Sequence, residues 1–153
     1  MEKITDIKLA DQLCFSIYNT SRLFTKFYQK ALEPYHLTYT QYIVLLALWE
    51  EECSTLNDLS KKLDLASNTL TPLLKRLETA GWLSRCRGKD DQRQLQVQLT
   101  EKGRAQKLAI EQSLENCVVD SMNGLSPETY HRMLADHHQL NQALKNYLEL
   151  DAE

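Results

Sequence analysis

The sequence predicts a mainly α-helical chain with a small β wing, arranged as a winged helix-turn-helix. Three observations carry that expectation. Two short amphipathic stretches, one following Thr55 and one starting at Ser67, are separated only by Asp64-Leu-Ala66, the length of a tight turn between helices. Gly81 follows the second stretch, and beyond it Trp82–Arg87 and Gln94–Leu99 read as two strands around a polar turn. Glycine and proline are scarce, four and three in 153 residues, which leaves most of the remaining chain to helices.

Taken in order, Leu9, Leu13, Ile17, Thr20, Phe24, Phe27 and Ala31 recur at steps of three and four. They predict one long helix over residues 7–32, ended by Pro34. A helix of that length near a chain end favours packing against a second subunit. Thr38 or Thr40 can cap the next helix, whose run Ile43-Val-Leu-Leu-Ala-Leu-Trp49 is apolar nearly all round and belongs in the core. Thr55 caps a short helix carrying Leu56, Leu59 and Leu63, with Asp58 three residues on, where an acidic group suits the helix dipole.

Ser67 starts the following helix, with Leu70, Leu73, Leu74 and Leu77 inward and Ser67, Asn68, Thr69 and Thr71 outward on its first turn. Pro72 is compatible with that helix only near its start. Gly81 supplies a left-handed stop. Leu95, Val97 and Leu99 alternate onto one face of the second wing strand, and residues 88–93 form the tip between the strands. Thr100 then caps a long, partly buried helix marked by Ala105, Leu108, Ala109, Leu114, Val118 and Met122, which Gly124 ends. Ser126-Pro127 opens a last helix through Met133, Leu140, Leu144 and Leu148. The expected organisation is one domain over residues 1–153. Residues 55–99 form the reading unit, and the helices of 7–34 and 100–150 form a dimerisation region.

The net charge of −3 hides an asymmetry. Residues 61–107 hold eleven Lys and Arg against five Asp and Glu, a local balance of +6 that leaves −9 for everything else. A basic reader on an otherwise acidic chain fits one face that neutralises phosphates. Hydroxyl and amide side chains on the first turn of the second helix can reach base edges of double-stranded DNA, while Lys75 and Arg76 reach the backbone. Arg93 at the wing tip can enter a minor groove, aimed by Asp91 two residues before it. The competing reading makes Lys75 and Arg76 a solvated helix face and Arg93 an ordinary turn residue, since winged helices also bind proteins.

The N-terminus Met-Glu-Lys-Ile-Thr-Asp lacks a signal pattern and no apolar run is long enough to span a bilayer, so a cytoplasmic protein with no membrane partner is expected. Cys14, Cys53, Cys86 and Cys117 are scattered without a C-x-x-C pair, and His131, His137 and His138 lack i, i+4 spacing. No metal site and no cofactor is expected.

The run Thr69-Leu-Thr-Pro-Leu-Leu-Lys-Arg-Leu-Glu78, the wing Asp91-Gln-Arg93 and Leu99-Thr-Glu-Lys-Gly103 resemble the MarR family of dimeric winged-helix repressors, over essentially the whole chain. Ala66 and Asn68 depart from the Asp and Gly common in that family, which bears on the bases read rather than on the binding mode. Leu13-Cys14-Phe15 with Tyr18, Tyr28 and Leu37-Thr-Tyr39-Thr-Gln-Tyr42 resembles its peroxide-sensing OhrR-type branch. That resemblance implies a homodimer in which Cys14 is the sensor of an organic hydroperoxide or other oxidant. Tyr18, Tyr28 and Tyr39 surround it, two of them across the dimer, and oxidation releases operator DNA. A phenol that donates a hydrogen bond to a thiolate favours the form that attacks a peroxide.

In two-cysteine members a resolving thiol lies on the penultimate helix, where Cys117 falls. Cys117 either pairs with the partner's sensor or packs with Leu114 and Val118 as a core residue. The resemblance implies a regulator and no enzyme. The alternatives are release by a small aromatic ligand in a dimer cleft, a thiol peroxidase, for which no Arg stands beside Cys14 in sequence, and a protein-binding winged helix.

Overall fold

Capping side chains set where the central helices begin. In the computed structural model, which describes residues 8–88, 93–121 and 124–150, helix α2 (Tyr39–Glu50) opens with a reciprocal capping box. Thr38 Oγ1 accepts from the Gln41 backbone N–H at 3.3 Å, and the Gln41 side chain accepts from the Thr38 N–H at 2.9 Å. Thr38, rather than Thr40, is therefore the cap. Thr55 caps α3 (Leu56–Leu63) by accepting from the Asp58 N–H at 3.0 Å, while its hydroxyl donates to the Asp58 carboxylate at 2.7 Å.

Helix α4 (Ser67–Thr79) begins at the expected residue. It closes with Gly81 at φ 80°, the Gly81 N–H bonded to Glu78 O and the Trp82 N–H to Leu77 O, both at 2.9 Å. This is the double closure that a left-handed glycine permits. Pro72 is accommodated in the second turn, where its missing N–H leaves the Asn68 carbonyl without its i+4 donor.

Three expectations need correction. Residue 7 lies outside the described residues, and the first helix is not continuous from residue 8 onward. Leu9–Asp11 form a 3₁₀ turn, Gln12 is extended, and α1 spans Leu13–Leu32. Pro34 then sits in a second 3₁₀ turn, Glu33–Tyr35.

The sheet has three strands instead of two: β1 (Cys53–Thr55), β2 (Leu83–Arg87) and β3 (Leu95–Leu99), in the antiparallel order β1-β3-β2. Ser54 and Arg85 flank Val97 from either side. β1 is too short to show alternation in sequence, yet it pairs the backbone edge that β3 would otherwise leave open.

The helix after the wing is split at Gln106 into α5 (Glu101–Ala105) and α6 (Lys107–Ser121). The break shifts the buried face. Gly103, Ile110 and Leu114 are buried, whereas Ala105, Ala109 and Val118 are exposed and Leu108 is 64% exposed. Met122 lies outside the described residues. Ser126 Oγ accepts from the Thr129 N–H at 3.1 Å at the start of α7 (Pro127–Leu150), as the sequence predicts.

Two compact units divide the chain, Met1–Glu115 and Asn116–Glu153. In the first, Val44, Leu45 and Leu48 of α2 meet Leu59, Leu70, Leu74, Leu77, Leu83 and Val97 in one core with almost no solvent exposure. This core fixes the helix-turn-helix against the sheet. Helix α1 buries only Ala31 and Leu32, and leaves Leu13, Phe15, Tyr18, Leu23 and Phe24 exposed. In the second unit α7 exposes Met133, Leu134, Leu144, Tyr147 and Leu148, with Leu140 half-buried. No described helix is long and apolar enough to cross a membrane.

Gly103 is the tightest position in this frame. A Cβ there would collide with the Trp82 carbonyl oxygen and stand 3.1 Å from Leu99 Cδ2. Gly103→Ala is expected to destabilise the protein by about 3 kcal/mol, the upper end of the overpacking range, measured as a lowered urea midpoint.

Candidate functional site

Ser67, Asn68, Thr69 and Thr71 are all exposed on the first turn and a half of α4, and Lys75 and Arg76 are exposed one turn on. Thr71 Oγ1 donates to Ser67 O at 2.7 Å, so its hydroxyl is left to accept from an outside group. Arg93 is exposed at the foot of β3. It lines, with Ser67, Thr55 and Asp58, a cleft of about 340 Å³ where the start of the helix meets the wing. The structure therefore brings the sequence-predicted Ser67 and Arg93 to one place. Asp91 lies outside the described residues.

Helix and wing are held at a fixed angle by a contact the sequence did not announce. Arg85 on β2 donates to the Glu78 carboxylate through Nε at 2.9 Å and Nη2 at 2.7 Å, and its backbone N–H donates at 3.1 Å. These bonds hold the Glu78 carboxyl below its ordinary pKa, against a smaller opposing effect of burial. Lys62 on α3 similarly reaches Glu50 at 2.6 Å, with its pKa raised by that hydrogen bond.

The second candidate site is the thiol and its aromatic neighbours. Cys14 is exposed in the first turn of α1, with Tyr18 one turn on and 59% exposed. The Arg22 guanidinium lies 5.6 Å from the Tyr18 ring centre, within cation–π range. Tyr28 and Tyr39 stand elsewhere, at the far end of α1 and the start of α2, with ring centres 4.5 Å apart. Fourteen residues of helix separate Cys14 from Tyr28, about 21 Å at the α-helical rise. One chain therefore groups Cys14 with Tyr18, and Tyr28 with Tyr39, without joining the pairs.

Tyr42, which belongs to the Leu37–Tyr42 motif but has no role of its own assigned from sequence, completes the aromatic cluster. Its ring centre is 5.8 Å from Tyr28 and 6.2 Å from Trp49. Burial first, then Tyr28, pushes its pKa up to about 12, so it stays a neutral phenol.

All four cysteines are free. Cys117 is half-buried on α6 in the second unit, and Cys14 is in the first. Among the described residues no group of His, Cys, Asp and Glu could hold a metal ion.

A family model described as transcriptional regulator SarA/Rot matches residues 26–110. TtmR, an HTH-type transcriptional regulator of Methylorubrum extorquens, is 48% identical over 99 residues, 65% of this chain and 51% of that protein. The chain thus spans about half the length of that relative. The organic hydroperoxide resistance transcriptional regulator of Bacillus subtilis is 45% identical over 101 residues, 66% of this chain and 69% of that protein.

Reduced AbfR bound to DNA superposes with a TM-score of 0.81 at 46% identity, covering 92% of this chain and 94% of that one. Disulfide-formed AbfR superposes at 0.69, also with 46% identity, covering 92% of each chain. AbfR is a protein of Staphylococcus epidermidis.

The Glu78–Arg85 brace gives a pH dependence of fixed sign. A depressed carboxylate pKa contributes stability that is fully present above the unfolded value near 4.3 and is lost as pH falls through the folded value. Urea midpoints are therefore expected to fall more between about pH 5 and pH 3 for the wild type than for Glu78→Gln.

Proposed function

The chain belongs to the SarA/Rot family of transcriptional regulators, with a winged helix of the MarR-like kind, and on that premise we propose a homodimeric DNA-binding repressor released when Cys14 is oxidised by an organic hydroperoxide. The observation that carries this reading is the separation of Cys14 and Tyr18, near the start of α1, from Tyr28 near its end and Tyr39 on α2, along a helix whose apolar residues are uncovered. A second copy of the chain laid against α1 covers Leu13 and Phe24, and supplies its own Tyr28 and Tyr39 to Cys14. The exposed apolar residues of α7 belong to the same dimerisation region, which takes in the helices of 7–34 and 100–150. Similarity to the hydroperoxide resistance regulator of Bacillus subtilis and to AbfR in its reduced and disulfide forms supports this reading.

On the DNA side, Ser67, Asn68, Thr69 and Thr71 face the major groove, Lys75 and Arg76 contact phosphates, and Arg93 of the wing, partnered by Asp91, enters the minor groove. DNA is the partner, and the cytoplasm is the compartment this requires.

On the sensor side, the Cys14 thiolate attacks the terminal oxygen of the hydroperoxide. The O–O bond breaks, the alcohol leaves with a proton, and sulfur is oxidised to sulfenic acid. Cys117 of the other subunit then attacks that sulfur, water leaves, and a disulfide forms. Tyr18, Tyr28 and Tyr39 donate to the thiolate and lose their acceptor on oxidation. The chain carries out one stoichiometric oxidation rather than a catalytic cycle.

With a DNA duplex selected from a random pool by the reduced protein, Cys14→Ser is expected to bind at wild-type affinity and to stay bound after cumene hydroperoxide. Release of that variant by the oxidant contradicts the sensor role. Arg93→Ala is expected to weaken binding to the same duplex by about 1–3 kcal/mol at matched salt. An unchanged affinity in a mobility-shift titration removes the wing from the interface.

A further inference from the structure

The tyrosine cluster connects to the reading helix through a side chain that neither site contains. Trp49, in the last turn of α2, stands edge-on to Tyr42, and its indole Nε1–H donates to the Gly103 carbonyl at 2.9 Å. Gly103 lies in α5, whose first turn grips the C-terminal end of α4. Thr100 Oγ1 hydrogen-bonds the carbonyls of Gly81 at 2.6 Å and Trp82 at 3.1 Å, and Lys102 Nζ donates to the Ala80 carbonyl at 2.8 Å. The Lys102 ammonium also sits 4.9 Å from the Trp82 ring centre. Residues 80–82 are the joint between the reading helix and the first wing strand.

A continuous set of contacts therefore runs from Tyr28 and Tyr39 through Tyr42 and Trp49 to Gly103, and from Gly103 to the end of α4. Each link is fixed. The tyrosine rings are packed face to tilted face. The indole bond is part-buried, where a carbonyl left without its donor is costly. At Gly103 the backbone of α5 runs close to that of Trp82, since a Cβ there would collide with the Trp82 carbonyl oxygen. A shift of the tyrosine rings that tilts Trp49 must either break the Gly103 bond or carry α5, and with it the α4 joint.

We propose that Trp49 is a positioning residue that couples the sensor tyrosines to the reading helix through its hydrogen bond to Gly103. This rests on the oxidant-sensing reading given above. When the tyrosines lose their thiolate acceptor and Trp49 tilts, the Trp49–Gly103 bond holds and carries α5, and the ends of α4 and β2 move with it. Thr100 and Lys102 act as the grip on the joint rather than as DNA contacts.

The test is Trp49→Phe, which keeps the aromatic contact to Tyr42 and removes only the donor. Reduced Trp49→Phe is expected to bind the selected duplex as the wild type does, and its Cys14 to be trapped by dimedone at the wild-type rate after cumene hydroperoxide. The loss of DNA affinity on oxidation is expected to shrink at least about fivefold. Full release of oxidised Trp49→Phe overturns the coupling role.

The wild-type protein gives an independent readout. With ¹⁵N-labelled indoles, the Trp49 Nε1–H is expected to stay protected from exchange in the reduced and in the oxidised protein, and loss of that protection on oxidation overturns the proposal. Cys14→Ser separates the two levels. If oxidant releases it as well, the sensing reading fails, whereas if it stays bound while Trp49→Phe is released normally, only the coupling role fails.

Discussion

Gly103 against the Trp82 carbonyl is the contact on which the DNA-reading half of the molecule depends. Only a residue without a Cβ lets α5 sit that close, and this closeness lets Thr100 and Lys102 reach the carbonyls of residues 80–82. The reading helix is consequently held at both ends and along one side. The α3–α4 turn fixes its start, the α5 grip fixes its end, and the Glu78–Arg85 brace ties its flank to β2. A reader built this way moves as one body with its wing.

The thiol site obeys a different constraint, the rise of an α-helix. Cys14 and Tyr28 share α1 but stand about 21 Å apart along it, so no rotamer of either brings them together. The exposed Leu13 and Phe24 describe a face with too little of its own chain to cover it. Both facts are met by one arrangement, a second copy crossing the first so that each thiol receives the other's tyrosines. In the proposed dimer, sensing and dimerisation are one problem: the surface that would hold the subunits together would also be the wall of the oxidant pocket.

Much of this was legible in sequence because the signals were local. Thr38, Thr55 and Ser126 cap the helices they precede, and Gly81 closes α4, since each acts through backbone groups within a few residues. What sequence hid was non-local. β1 has three residues and no alternation, and its pairing depends on β3 more than forty positions away. The split at Gln106 carries no Gly or Pro to mark it, so the periodicity of Leu108 and Ala109 was read on a helix that does not run straight through. Glu78 and Arg85 are seven residues apart with a left-handed turn between them, a spacing that no helical or strand pattern brings together. Apolar periodicity placed Leu13 and Phe24 on one face correctly, but the pattern cannot tell a core of the same chain from a partner's surface.

The central claim is that the oxidant pocket is assembled from two chains. The most direct measurement is the second-order rate of Cys14 oxidation by cumene hydroperoxide, followed by dimedone trapping, in the wild type and in the double variant Tyr28→Phe, Tyr39→Phe. Both substituted residues lie beyond the reach of Cys14 within one chain, so the account predicts a markedly slower reaction in the variant, with its dimeric state unchanged in sedimentation. An unchanged rate in a dimeric variant contradicts it, because those phenols then play no part at the thiol.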